Sequence, residues 1–165
     1  MTRVLGIDPG SRVTGYGILD WLGKPVLVTA GCIRTETDDF PERLRRIFEG
    51  IGRIVDEFQP EEMAVEQVFL HKNADSALKL GQARGAAICA GVARGLPVHE
   101  YAARQVKLAL VGKGSADKTQ VQHMVSFLLG QIGPLALDAS DALGVAFCHL
   151  HHRQTRSRMN RMMQR

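Results

Sequence analysis

The chain opens on an apolar run, residues 3–8, that stops at Asp8-Pro9-Gly10. A short apolar run closed by a Pro-Gly turn predicts a buried strand. Residues 13–21 and 25–35 are rich in Val, Ile, Leu, Thr and aromatics, with Gly23-Lys24 between them. They predict two antiparallel strands joined by a tight turn, so the chain begins as a three-stranded meander. The apolar period then changes. Leu44, Ile47, Phe48, Ile51, Ile54, Val55 and Phe58 recur at three- and four-residue spacing, with arginines and acids on the other face. That is an amphipathic helix, with Pro41 near its start and Gln59-Pro60 at its end. Residues 62–66, Glu-Met-Ala-Val-Glu, predict a short buried strand. Asn73 suits the N-cap of a helix running to about Arg94, where Gly95 and Pro97 stop it. Residues 97–101 predict the last strand. Helices follow near 102–111, 117–129 and 138–152, separated by Gly112-Lys113-Gly114 and by Gly130 to Pro134.

A meander followed by alternating helices and strands implies an α/β fold, a mixed five-stranded sheet flanked by helices. Length fits one domain, since 165 residues bury a core without staples. The hydrophobic fraction of 45% and charged fraction of 23% argue against disorder along the chain. No apolar run approaches the roughly 20 residues needed to span a bilayer, and the first residues lack the pattern of a signal peptide. Cys32, Cys89 and Cys148 form neither a C-x-x-C pair nor a disulfide framework, which fits a reducing cytoplasm.

The net charge of +4 is unevenly spread. Arg153, Arg156, Arg158, Arg161 and Arg165 fall in residues 151–165 with no acid among them, leaving the rest of the chain near neutral. The reading is a domain over residues 1–152 and a flexible basic tail over 153–165. A basic tail suits nucleic acid or an acidic membrane surface, and equally a solvated end.

Candidate chemistry lies in the acids. Asp8 and Glu66 each end an otherwise apolar strand, and acids are rarely buried unless paired or bound to a metal. Asp138 and Asp141, three apart at the start of an apolar helix, share a helix face. Capping and the helix dipole offer a structural explanation for that pair. Several carboxylates without cysteine suit a hard cation such as Mg²⁺ or Mn²⁺, and hence phosphoryl transfer. Within Cys148-His149-Leu150-His151-His152 the spacings suit zinc, but no second ligand cluster accompanies them, so the segment reads as a helix end.

These residues carry a family resemblance. Gly6-Ile7-Asp8-Pro9-Gly10-Ser11, Gly15-Tyr16-Gly17 and Val65-Glu66-Gln67-Val68-Phe69 resemble segments of the RuvC Holliday-junction resolvases. So do Asn73-Ala74-Asp75-Ser76-Ala77-Leu78, Gly81-Gln82-Ala83-Arg84-Gly85 and Asp138-Ala139-Ser140-Asp141-Ala142-Leu143. The likeness runs in order from about residue 3 to residue 150. It implies an RNase H-like fold and an acidic tetrad at Asp8, Glu66, Asp138 and Asp141. It further implies a cytoplasmic, homodimeric endonuclease of DNA recombination and repair, acting after the RuvAB branch-migration complex. Such an enzyme nicks the two opposing strands of a four-way DNA junction symmetrically and leaves 5′-phosphates. Two Mg²⁺ ions per subunit are implied, Mn²⁺ substituting, with Asp8 the best candidate to bridge them.

Lys107 and Lys118 match basic positions of the family and are expected to hold phosphate or stabilise charge. Phe69 alone reads as a packing residue, and the resemblance moves it toward DNA contact. Ala77, Gly81, Gly85 and Cys89 form a seam of small residues at i+4 spacing. Mid-helix glycines cost about 1 kcal/mol each, and either a dimer interface or tight packing on the chain's own sheet would account for them.

Other functions fit less well. An actin-like or sugar-kinase ATPase shares the opening strand and Asp-x-Gly turn but needs two such domains. A P-loop is excluded because Tyr16-Gly17 follows Gly15 where Lys-Ser/Thr is required. A non-catalytic junction binder would not need four acids. A covalent-tyrosine nuclease has only Tyr16 and Tyr101 to draw on, without an Arg/His cluster in reach.

Overall fold

The structure, a computed structural model, describes residues 1–68, 73–130, 133 and 135–163. Five strands, β1 (Thr2–Asp8), β2 (Val13–Trp21), β3 (Pro25–Arg34), β4 (Glu62–Glu66) and β5 (Val98–Tyr101), form one sheet in the order β3-β2-β1-β4-β5. β1, β2 and β3 pair antiparallel, as a meander must, whereas β4 runs parallel to both β1 and β5. The sheet is therefore mixed, and β1 lies at its centre. Helices α1 (Phe40–Phe58), α2 (Ala74–Val92), α3 (Ala103–Val111), α4 (Lys118–Leu128) and α5 (Leu137–Met163) complete the order.

The period of two along the strands divides the helices between the faces. Leu5, Ile7, Ile18, Met63 and Val65 point to one side, where they meet Ile47 and Ile51 of α1 and Ala83, Ala87 and Ala90 of α2. Val4, Leu19 and Ala64 point to the other, toward Leu143 and Ala146 of α5, Val106 and Leu110 of α3, and Val121 and Val125 of α4. Asp8 shares the face of Val4, and Glu66 the face of Ala64. Both acids therefore face α5, at the carboxyl ends of two adjacent parallel strands.

α5 lies unusually close to the sheet. A Cβ on Gly6 would meet the Ala142 carbonyl and Ala146 at under 3.0 Å, and one on Gly17 would lie 2.5 Å from Leu143 Cδ2. At Gly15 the obstacle is the Asp138 carbonyl. Only glycine on β1 and β2 lets this helix dock at such depth.

Element boundaries agree with the hydrophobic pattern to within a few residues, except at the end. The helix expected to close near residue 152 continues to Met163. Residues 153–163 contain no glycine or proline, and their arginines and methionines are good helix formers, so nothing breaks the helix where the charge changes. Asn73 caps α2 as expected, its side chain accepting from the amides of Asp75 (3.0 Å) and Ser76 (3.3 Å). No helix among the described residues is long and apolar enough to cross a membrane.

Gly6→Ala is expected to destabilise the protein by about 1–3 kcal/mol, the usual range for overpacking a filled core. A lowered urea midpoint with an unchanged slope checks this. An unchanged midpoint would show that α5 can retreat at no cost.

Candidate active site

Three elements bring carboxylates together. Asp8 ends β1 and Glu66 ends β4, one step beyond Ile7 and Val65, the last residues that pair between these two strands. Asp141 comes from the first turns of α5. A cavity of about 220 Å³ opens between them, lined by Asp8, Glu66, Asp141, Lys107 and Lys118 over an apolar floor that includes Val106 and Val145. A second cavity of about 220 Å³ adjoins it on the other side of Asp8 and Glu66, lined by Pro9, Gln67 and Val68.

The backbone under each acid is fixed locally. In the turn after Asp8, the Thr14 hydroxyl donates to the Gly10 carbonyl at 2.8 Å and accepts from the Gly10 amide at 3.3 Å. Arg84 of α2 donates from Nε to the Glu66 carbonyl at 3.0 Å, and its Nη2 lies 2.8 Å from Glu100 Oε2. Arg84 stands in a segment that supported the family resemblance, but its role at Glu66 is not legible there, because it depends on α2 crossing the end of β4.

The electrostatics of this cluster are adverse. Burial pushes the Asp8 carboxyl up to about 8, and the Glu66 and Asp141 charges add to the effect. Glu66 is also raised, chiefly by burial, although its hydrogen bond with Asp8 and the charges of Lys118 and Lys107 oppose the shift. Protonated Asp8 thus donates to Glu66, and the pair shares a proton. Asp141 is raised by burial, with Lys118 pulling the other way. Lys118 Nζ lies 3.5 Å from Asp141 Oδ2. Lys118 opens α4, the end where a cation opposes the helix dipole, and the Asp117 cap beside it, accepting from the Gln120 amide at 2.8 Å, offsets that cost.

Of the residues singled out in the sequence, Asp8, Glu66, Asp141, Lys107 and Lys118 meet in one place. Asp138 lies further out. Its charge acts on Asp8 more weakly than that of Asp141, it is not among the cavity-lining residues, and its charge also raises the Cys32 thiol of β3. Phe69 lies outside the described residues. In the small-residue seam Ala77 is buried within its own chain, whereas a Cβ on Gly81 or Gly85 would meet nothing within 4 Å. The two glycines do not serve packing on the chain's own sheet. A larger cavity, about 330 Å³, lies at the opposite end of α5 beneath Arg153, Arg158 and Arg161, with no acid in its lining.

The donor set fits a hard divalent cation. All its ligating atoms are carboxylate oxygens, and their burial together is unfavourable until positive charge enters.

The chain is similar to known proteins over most of its length. The sequence matches the family profile described as "Crossover junction endodeoxyribonuclease RuvC" over residues 4–149. A protein of that name from Methylococcus capsulatus (strain Bath) is 92% identical over 165 residues, 100% of both chains. One from Dichelobacter nodosus is 56% identical over 154 residues, 93% of this chain and 88% of that one. Among solved structures, Thermus thermophilus RuvC superposes with a TM-score of 0.85 at 34% identity, covering 93% of this chain and 96% of that chain. T. thermophilus RuvC in complex with Holliday junction substrate gives 0.84 at 32% identity, with the same coverage.

The carboxylate cluster predicts how stability varies with pH in the absence of metal. The folded-state value for Asp8, about 8, lies above its ordinary 3.8, so its contribution is fully present below pH 3.8 and is lost as pH rises through about 8. Asp8→Asn removes that loss. In chelator the variant should melt higher than the parent at pH 8, by about 1 kcal/mol or more of stability, and the gain should vanish toward pH 4. A variant that melts lower at pH 8 would show Asp8 held favourably by its turn.

Proposed function

The chain belongs to the RuvC family of crossover junction endodeoxyribonucleases, and from that membership we propose a mechanism in which Asp8, Glu66, Asp138 and Asp141 hold two Mg²⁺ or Mn²⁺ ions and cut four-way DNA junctions. One observation carries the proposal: half-buried carboxylates from β1, β4 and α5 line one cavity with two lysines, and Asp8 is held neutral to about pH 8 without a cation. Bound at these oxygens, the ions would lower the pKa of the attacking water and stabilise the leaving 3′ oxygen.

The chain's own residues do the rest. In the metal-free protein Asp8 keeps the proton that it donates to Glu66, and a cation at these oxygens would favour the ionised form, in which both carboxylates could serve as ligands. Lys118 pairs with Asp141 and is well exposed, which leaves it able to reach a phosphate at the cavity mouth. Lys107, half-buried on α3, supplies positive charge from the cavity wall. Val106, Val121 and Val145 keep the floor of the cavity apolar, which strengthens each of these electrostatic contacts. Hydrolysis on this plan leaves 5′-phosphates, and paired symmetric nicks suit a role in recombination and repair in the cytoplasm, after RuvAB. Phe69 keeps its proposed role in DNA contact.

Two opposed nicks on a two-fold junction call for two sites related by a two-fold axis. The open face of α2 supports a homodimer. Leu78 (69% exposed), Gly81, Gly85, Cys89 and Val92 (57% exposed) follow one another at helical spacing, and among the described residues nothing covers the glycines. Ala77 borders that face from inside.

A synthetic four-way junction should be nicked in matched pairs with Mg²⁺ or Mn²⁺, while a linear duplex of the same sequence is spared and chelator stops the reaction. Asp8→Asn should bind the junction about as well as the parent yet cut it at least roughly 100-fold more slowly. Cutting at full rate in chelator, or by Asp8→Asn, would remove the proposed site.

Gly81→Leu should shift the protein toward monomer in sedimentation and uncouple the paired nicks. A variant that remains dimeric and still nicks both strands would place the subunit contact elsewhere.

A further inference from the structure

The α5-facing stripe that ends in the acidic cluster has a second polar end. α5 runs back along β4, so Asp141 lies near Glu66, and His149 reaches Glu62 at the start of the strand. Four strand residues separate the two glutamates, about 13 Å. Eight helix residues separate Asp141 from His149, about 12 Å. The two measures agree, and they put the Glu62 end well outside the catalytic cavity. His99 of β5 joins it there, because His99 pairs with Ala64 and so faces the same side of the sheet.

Glu62, His99 and His149 each offer one ligand atom, and these atoms lie within 4.8 Å of one another. Glu62 Oε2 stands between the rings, 2.6 Å from His149 Nε2 and 3.3 Å from His99 Nε2. The imidazole centroids are 4.5 Å apart. We propose that these three side chains form a second metal centre, selective for Zn²⁺ or a similar borderline transition ion, with a remaining coordination position for water. Two imidazoles with one carboxylate make a donor set for zinc, unlike the all-oxygen set at the other end of the stripe.

The surroundings suit ligation. His149 is fully buried, and burial lowers its ring to about 4, so the neutral form that ligates is the one present. The Tyr101 hydroxyl lies 2.9 Å from His149 Nδ1. Beside the Glu62 carboxylate, Nε2 carries the ring proton and Nδ1 accepts from tyrosine. When Nε2 turns its lone pair to a cation, Nδ1 takes a proton and donates to the same oxygen. One hydroxyl serves both states without moving. Arg153, a turn beyond His149, pairs with Oε1 and leaves Oε2 to the two rings. Pairing with Arg153 and a hydrogen bond from His149 already satisfy Glu62, so a buried polar network alone gives no use to the second imidazole. A cation there ties β4, β5 and α5 together just before the basic extension of the helix.

Co²⁺ titrated into the full-length protein distinguishes the alternatives, because low-symmetry imidazole sites absorb visibly far more strongly than octahedral oxygen sites. A single strong band per chain is expected, displaced by Zn²⁺ and retained in Asp8→Asn. His99 is partly exposed, so His99→Ala should fold, as circular dichroism checks, and should lose the band while still cutting junctions. Tyr101→Phe should keep the band with about 10-fold weaker affinity. Zn²⁺ should raise the melting temperature of the parent and not of His99→Ala. The proposal is overturned if the parent gives no such band, if His99→Ala retains it, or if Asp8→Asn removes it. That last result would assign the ion to the catalytic cavity and leave the junction-cutting mechanism standing.

Discussion

Everything at the site depends on how closely α5 can approach β1 and β2. Gly6, Gly15 and Gly17 leave no side chain between the sheet and the helix, and Ala142, Leu143 and Ala146 fill the contact with no exposed surface. Glycine in a strand costs roughly 0.5–1 kcal/mol against alanine, so three of them need a compensating gain. The gain is position. With the helix seated at this depth, Asp141 reaches the ends of β1 and β4, and carboxylates on separate elements converge. The same seating leaves the other helices little choice. α3 and α4 pack beside α5 over its apolar flank, and their lysines close the cavity.

Strands were legible because their edges coincide with chemical punctuation. Pro9-Gly10, Gly23-Lys24, Gln59-Pro60 and Gly95 each sit where an element stops. Asp8 and Glu66 were legible as candidate ligands for a related reason, since an acid at the end of an apolar strand needs compensation. The spacing of Asp138 and Asp141 shows that they share a helix face but not which of them reaches deeper. That depends on the rotation of α5 about its axis, which the sheet glycines set. The glycines of α2 were ambiguous in the same way, and only the space around them excludes packing on the chain's own sheet.

The Glu62–His99–His149 cluster was not legible at all. Its members come from a strand start, a strand interior and a late helix, and each has an ordinary local explanation. Searching along the helix groups His149 with Cys148, His151 and His152, yet Cys148 is buried among apolar side chains and His151 is exposed. His152 stacks on Tyr101, and of the group only His149 reaches Glu62. Likewise, the basic residues after 152 read as a tail because their charge changes there, while the backbone responds to propensity and continues the helix. The resulting charge order agrees with the helix dipole, with acids in the first turns of α5 and arginines toward its end.

α2 joins the proposed pairing face to the site through a single side chain. Its outward face carries the open glycines. Its inward face carries Arg84, which holds the Glu66 carbonyl and pairs with Glu100 on β5. A shift of α2 along or about its axis would therefore pull on the backbone of a proposed metal ligand. Helices are stiff over this length, so in the proposed dimer a second copy seated against Gly81 and Gly85 would constrain the position of Glu66 as well as the distance between the two sites. An enzyme that must cut two strands in register gains from that arrangement. In that proposed dimer the element that would set where the second site lies also holds the backbone of one carboxylate of the first, so an imperfectly seated partner would disturb the chemistry of the subunit it touches.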